Sequence, residues 1–108
     1  MPALPLPSEL KDSRPAAADE LRTLAAPGAD AIQILERCIA SHHVVEIDYA
    51  NAAGHKSAIR IRPAFIRVNN TKHVVLWGIA TDRSNWEQLW LERIGDVHDT
   101  GEEFTPTW

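Results

Sequence analysis

A chain of 108 residues is one domain's worth, and about 80 of them remain to build a core if the first thirty stay loose. Hydrophobic residues make up 44% and charged residues 24%, an ordinary globular balance, and no apolar run approaches the ~18 residues that a bilayer span needs. The formal net charge of −4 hides a split: residues 1–55 carry four basic and eight acidic groups, residues 56–93 seven basic and three acidic, and residues 94–108 four acidic and no basic ones. An anion-binding face, if the chain has one, therefore belongs to the middle segment; an ordinary solvated strand face fits the same numbers.

The chain opens with Pro2, Pro5, Pro7 and Pro15 among polar residues, which argues for a flexible arm over residues 1–29. Its first residues have neither the basic start nor the long apolar stretch of a secretory signal. Within the arm, residues 16–25 (AAADELRTLA) have the composition of a short helix, which Pro27-Gly28 would end. The folded domain is expected over 30–108. Asp30 suits a helix N-cap, with Gln33 three residues on in the capping-box arrangement. Ile32, Leu35 and Ile39, with Ala31 and Cys38 beside them, make one apolar stripe on a helix from about Ala31 to Ser41. Cys38, the only cysteine, cannot form an internal disulfide, which fits a reducing cytoplasm; on this stripe it reads as a packed, inert thiol.

After Ser41 the period drops to two. His43–Ala50 alternates, with Val45, Ile47 and Tyr49 on one face. Asn51-Ala52-Ala53-Gly54 is a turn. Ser57–Val68 alternates again, Ile59 and Ile61 against Arg60 and Arg62, and Pro63 predicts a bend or an edge because it cannot donate to a ladder. Asn69-Asn70 predicts a hairpin turn, since asparagine tolerates positive φ. Lys72–Thr81 is the most apolar strand, with Gly78 predicting a bulge or sharp bend. Asp82–Asn85 turns the chain, Trp86–Arg93 is another strand, and a short one is expected near Asp96–Asp99. One helix followed by about five antiparallel strands with short turns predicts a mostly β (α+β) domain, a small closed β-barrel with a helix packed on it.

Arg60 and Arg62 share a strand face, and Arg67 and Lys72 follow on the same hairpin. Guanidinium groups grip phosphate through a planar fork. Trp86 and Trp90 share parity four residues apart, turned outward if Leu89 and Leu91 face the core. Outward tryptophans beside basic arms can stack bases; they also anchor protein partners, and the sequence leaves both readings open. Tyr49 and Trp77 read as core. His42, His43, His55, His73 and His98 show no metal-ligand spacing, and adjacent strand residues point to opposite faces, so no metal or cofactor is expected. Without a catalytic motif, no enzyme activity is expected.

The series Val44-Val45-Glu46-Ile47-Asp48-Tyr49, Arg60-Ile61-Arg62-Pro63, an apolar strand, Leu89-Trp90-Leu91-Glu92-Arg93-Ile94 and Thr100-Gly101-Glu102-Glu103-Phe104 resembles the WYL domain family over about residues 31 to 104. The order and spacing of the motifs carry the resemblance. It implies an Sm-like small barrel that senses ligands in bacterial transcription regulators and phage-defence systems, with nucleic acids or nucleotide-type molecules as ligands. Arg93 matches the arginine that ends the family's closing strand. The naming Trp-Tyr-Leu tripeptide is replaced by His73-Val74-Val75, and Glu87 and Trp90 stand where the family has arginines. No helix-turn-helix domain fits before residue 31, so a stand-alone copy, a partnered one or an excised fragment is expected. The resulting expectation is a non-catalytic module binding single-stranded nucleic acid or a nucleotide-type ligand through Arg60, Arg62, Arg67, Arg93, Trp86 and Trp90. The alternative is a protein–protein interaction module, a homo-oligomer or accessory subunit.

Overall fold

A computed structural model describes residues 5–6, 13–15, 29–51, 53–82 and 85–108. Among them the elements run β1 (Arg14–Pro15), α1 (Ala29–Ser41), β2 (His43–Ala50), β3 (Lys56–Val68), β4 (Val74–Ala80), β5 (Trp86–Trp90), a 3-10 turn (Leu91–Arg93) and β6 (Ile94–Glu103). The short helix expected over residues 16–25 lies outside the described residues. Of the arm, Arg14 and Pro15 add a short antiparallel strand to β3 opposite Val68 and Arg67.

The helix buries Ile32, Leu35 and Cys38, spaced by three, with Ala31, Ile34 and Ile39 packed at the margins. It begins at Ala29, so Asp30 stands in its first turn rather than before it. His42 stops it: at φ 58° this residue takes the left-handed conformation that turns the chain directly into β2. Its carbonyl accepts the Phe104 N–H at 2.9 Å, which ties the end of β6 to the helix terminus.

Both hairpin loops around β3 use one device. Asn51 accepts the N–H groups of Ala53 and His55 on its side-chain oxygen, at 2.9 and 3.0 Å. Asn69 does the same for Thr71 and His73, at 3.0 and 2.9 Å. The fourth residue of each loop takes positive φ: Gly54 at 84° and Lys72 at 65°. Asn69-Asn70 does form the predicted turn, but for a different reason. Asparagine serves as the acceptor that organises the loop, and a lysine takes the strained conformation.

Besides the two-residue pairing with β1, the thirteen residues of β3 belong to two long ladders. Lys56–Ile61 pair with β2, and Ile61–Val68 pair with β4. The register shifts between Pro63 and Phe65, the predicted bend. Gly78 pairs with Pro63 at this point. A Cβ on Gly78 would lie 2.5 Å from the Arg62 carbonyl oxygen, so only glycine lets the strands approach here. The bend gives the sheet its curl, and the inner face (Val45, Ile47, Tyr49, Ile61, Val68, Leu76, Leu89, Val97) closes on α1 to form the core.

The sheet order is β5-β4-β3-β2-β6, and it does not close into a barrel. This corrects the closed-barrel expectation; the fold is mostly β, an open antiparallel sheet with a helix on it. The strand predicted over Trp86–Arg93 stops at Trp90, because Leu91 dives into the core (2% exposed) through a 3-10 turn. The chain then emerges at the opposite edge as β6, ten residues long rather than the short strand expected near Asp96–Asp99. At the seam, the Trp90 N–H donates to the phenol oxygen of Tyr49 at 3.1 Å. A side chain thus satisfies a donor that a closed barrel would have given to a ladder.

Candidate functional site

Register decides which side chains share a face. Residues paired across a ladder point the same way. Arg60 pairs with Glu46, Arg62 with Ile79, Phe65 with Trp77 and Arg67 with Val75. Across β4, Ile79 pairs with Trp86, Trp77 with Gln88 and Val75 with Trp90. Arg60, Arg62 and Arg67 therefore lie with Trp86 and Trp90 on the outer face, opposite α1. Seven residues separate Arg60 from Arg67, roughly 20 Å of strand at ~3.3 Å per residue. The three cations make a line along β3 rather than a single pocket.

Each cation has a partner. Arg60 donates to Glu102 at 2.8 Å, in an ion pair about half exposed on both sides. Arg62 donates to the Ala80 carbonyl at 3.2 Å. Arg67 holds the arm: its Nε and Nη2 donate to the Ser13 hydroxyl and carbonyl at 3.2 and 3.1 Å. Arg93 is not on a strand, because the 3-10 turn carries it away from the line; its guanidinium sits 4.7 Å from the Trp90 ring centroid. The His73 ring lies 4.2 Å from the same indole, and Glu92 stands 3.9 Å from His73. Trp90 is thus already in contact with two cationic or ionisable groups.

Trp86 has a different setting. Its ring stacks on Phe65 at 6.1 Å and meets Trp108 at 5.4 Å, and its indole N–H donates to the Pro5 carbonyl at 2.8 Å. Trp108 also contacts Phe65 and Phe104, and Phe104 contacts His42. An aromatic chain therefore crosses the outer face from β5 to the end of α1. Sequence reasoning did not find Trp108, since no periodic pattern extends past β6 to assign it a face. Trp77, paired with Phe65 across the ladder, is 4% exposed, as buried as expected but on the outer face; its indole N–H meets no acceptor among the described residues.

The open seam holds two clefts that share Ser57 and Ala58, of about 610 and 400 Å³. Asp48, Glu92 and Asp96 outnumber Lys56 and Arg93 in the first, and Asp82 and Glu87 outnumber Arg60 in the second. The surplus carboxylate in each disfavours phosphate inside the clefts, although Arg93 lines the first and Arg60 the second.

A further polar cluster joins helix to sheet. Asp99 accepts the Gly101 N–H at 2.8 Å, and its carboxylate oxygens lie 3.2 and 3.3 Å from Nδ1 of His43. The Gly101 amide first, and then His43, hold its carboxyl below the usual carboxylate range. Burial and the adjacent Asp99 push the Cys38 thiol up to about 11. A thiol facing a carboxylate is held protonated, the reverse of an activated nucleophile. Among the described residues no group of three or more His, Cys, Asp or Glu is placed to hold a metal ion. No helix among them is long and apolar enough to cross a membrane.

No family model and no curated protein matches the sequence. Among solved structures, the chain is similar to part of proteasome accessory factor B/C (PafBC) of Arthrobacter aurescens, at 11% identity and a TM-score of 0.64. The match covers 83% of this chain and 13% of that one, so the chain corresponds to a small portion of the larger protein. At that identity the likeness is one of fold: the open curled sheet with its helix recurs as a unit within PafBC.

Proposed function

We propose that the chain is a non-catalytic regulatory module of the WYL type, taking single-stranded nucleic acid or a nucleotide-type ligand on the outer sheet face. One observation carries the reading: the ladder register sets Arg60, Arg62 and Arg67 in line on the face that also bears Trp86 and Trp90. A line of cations roughly 20 Å long suits a phosphodiester backbone better than one phosphate, and tryptophan supplies a sequence-tolerant platform for bases. The WYL-like motif order and the fold shared with a portion of PafBC support a regulatory setting, transcription control or phage defence in a bacterial cytoplasm. Arg60, Arg62 and Arg67 neutralise phosphates, Trp86 stacks, and Arg93 with Trp90 forms a second, flanking contact.

The test is fluorescence anisotropy with a short labelled oligothymidylate at two salt concentrations. Affinity falls as salt rises, and Arg62→Gln lowers the slope of log affinity against log salt by about 0.7. Absence of binding at low salt removes the proposal.

A second reading rests on the open sheet. Strands β5 and β6 are both edges in the described structure, and an edge strand invites another chain. In that reading the domain is a homo-oligomer or accessory subunit anchored by Trp90. Light scattering would then report a dimer that Trp90→Ala dissociates.

A further inference from the structure

The bend in β3 leaves that strand with a bare edge of its own. Lys56–Ile61 pair with β2 on one side, but the ladder with β4 on the other side begins only at Ile61. The last backbone bond there runs from the Thr81 N–H to the Arg60 carbonyl at 3.0 Å. In an antiparallel ladder the N–H and C=O of one residue point to the same neighbour, and the direction alternates along the strand. Arg60 turns its carbonyl to Thr81, so Ala58 and Lys56 turn their backbone groups the same way, away from β2. Among the described residues no ladder partner meets them. Lys56, Ser57 and Ala58 are exposed, and Lys56–Ile59 make about 13 Å of open edge. Where the other half of β3 is bare, the chain supplies its own cover: Arg14–Pro15 add to it opposite Val68 and Arg67.

The two clefts of the seam meet at this edge, since Ser57 and Ala58 line both. The register sorts their other walls. Asp48 and Ala50, paired with Ala58 and Lys56, belong to the outward row and line the first cleft. Ile59, paired with Ile47, and Leu89, paired with Leu76, belong to the inward row and line the second. A strand laid along Lys56–Ile59 sends alternate side chains to opposite faces, and so one row to each cleft. In the first cleft Asp48, Glu92 and Asp96 outnumber Lys56 and Arg93, and the Arg93 guanidinium is drawn over the Trp90 ring. The second presents apolar Ile59 and Leu89.

We infer that the edge at Lys56–Ile59 is a docking site for an extended peptide segment of a partner protein, added to the sheet as a further strand. Its basic side chains enter the first cleft and meet the surplus carboxylate there; its apolar side chains cover Ile59 and Leu89. Main-chain hydrogen bonds to Lys56 and Ala58 hold the segment, and the two clefts select its alternating pattern. Ser57-Ala58-Ile59 contain no proline, bulge or charge to repel such a strand. The inference does not rest on the proposed outer-face site.

The experiment titrates the 15N-labelled full chain at low salt with the capped pentapeptide Lys-Val-Lys-Val-Lys, followed by NMR. Saturable shifts centred on Ser57 and Ala58 are expected, with at least about 10-fold weaker binding of the Glu-Val-Glu-Val-Glu counterpart. Ala58→Pro removes the N–H that faces the added strand and spares the ladder with β2, so the fold tolerates it and affinity falls by about 10-fold or more. Residues opposite each other share a face, so the peptide residue across from Ala58 is a lysine whose own amide points at β3. A peptide N-methylated at its central lysine is therefore expected to lose binding to the unaltered protein, which keeps the test decisive should Ala58→Pro misfold. No saturable shift with the lysine peptide overturns the inference, as do shifts centred on Trp86 and Trp90. Undiminished binding by Ala58→Pro, by the N-methylated peptide or by the glutamate peptide overturns it as well. A dimer in light scattering that Ala58→Pro dissociates would assign the edge to a second copy of the chain instead.

Discussion

Gly78→Ala tests the bend on which the outer face depends. A Cβ at this position lies 2.5 Å from the Arg62 carbonyl oxygen, 2.9 Å from Cγ1 of Ile61 and 3.0 Å from its Cδ1. Comfortable contacts of this kind need about 3.5 Å, so the methyl group is short of space by about 1 Å. The nearest obstacle is backbone, and that backbone belongs to the kinked stretch of β3, so no side-chain rotation relieves the clash. Overpacking costs about 1–3 kcal/mol, and a backbone obstacle puts this site near 3 kcal/mol. For a domain of this size that lowers the thermal midpoint by roughly 12–24 °C. Gly95→Ala is the internal control: its Cβ would meet Asp48 at 3.5 and 3.6 Å, ordinary contact, and its effect should stay within about 0.5 kcal/mol. Circular dichroism melts of both variants beside wild type measure the difference. A Gly78→Ala midpoint within about 4 °C of wild type would refute the argument that the bend requires a missing side chain.

Three further outcomes follow from the same geometry. Tyr49→Phe removes the acceptor of the Trp90 N–H at the open seam and should cost about 1–2 kcal/mol in urea unfolding; no loss would mean that water serves that amide equally well. Lys72→Gly relieves a left-handed non-glycine residue at φ 65° and should stabilise the domain by about 1 kcal/mol, with Gly54→Ala shifting it the other way. The raised Cys38 pKa makes stability fall in alkali: the folded thiol keeps its proton to about 11, whereas the unfolded one releases it near 9.0, so the contribution is whole below pH 9 and lost towards pH 11. Comparing urea midpoints of wild type and Cys38→Ala across that window isolates the slope, and equal slopes would count against the buried thiol.

Local pattern made much of this protein legible from its residues. Side-chain alternation is a property of neighbouring residues, so Ile59 and Ile61 against Arg60 and Arg62, and Leu89 against Trp86 and Trp90, sort to their faces without knowledge of the fold. The helical stripe of Ile32, Leu35 and Cys38, the Pro63 bend and the Gly78 approach are local in the same sense. Tertiary structure alone decided the rest. The alternation of Trp86–Trp90 continues through Leu91 and Arg93, so nothing local marks the 3-10 turn; the need to bury Leu91 and reach the far edge of the sheet breaks the strand there. Closure of a barrel depends on whether two edges distant in sequence meet, and here the Tyr49 phenol and the turn leave them apart. Trp108 joins an aromatic cluster only because folding brings it to Phe65 and Trp86, the latter twenty-two positions earlier in the sequence. Periodicity reports which way a side chain points; which surface it meets is settled only when the sheet curls.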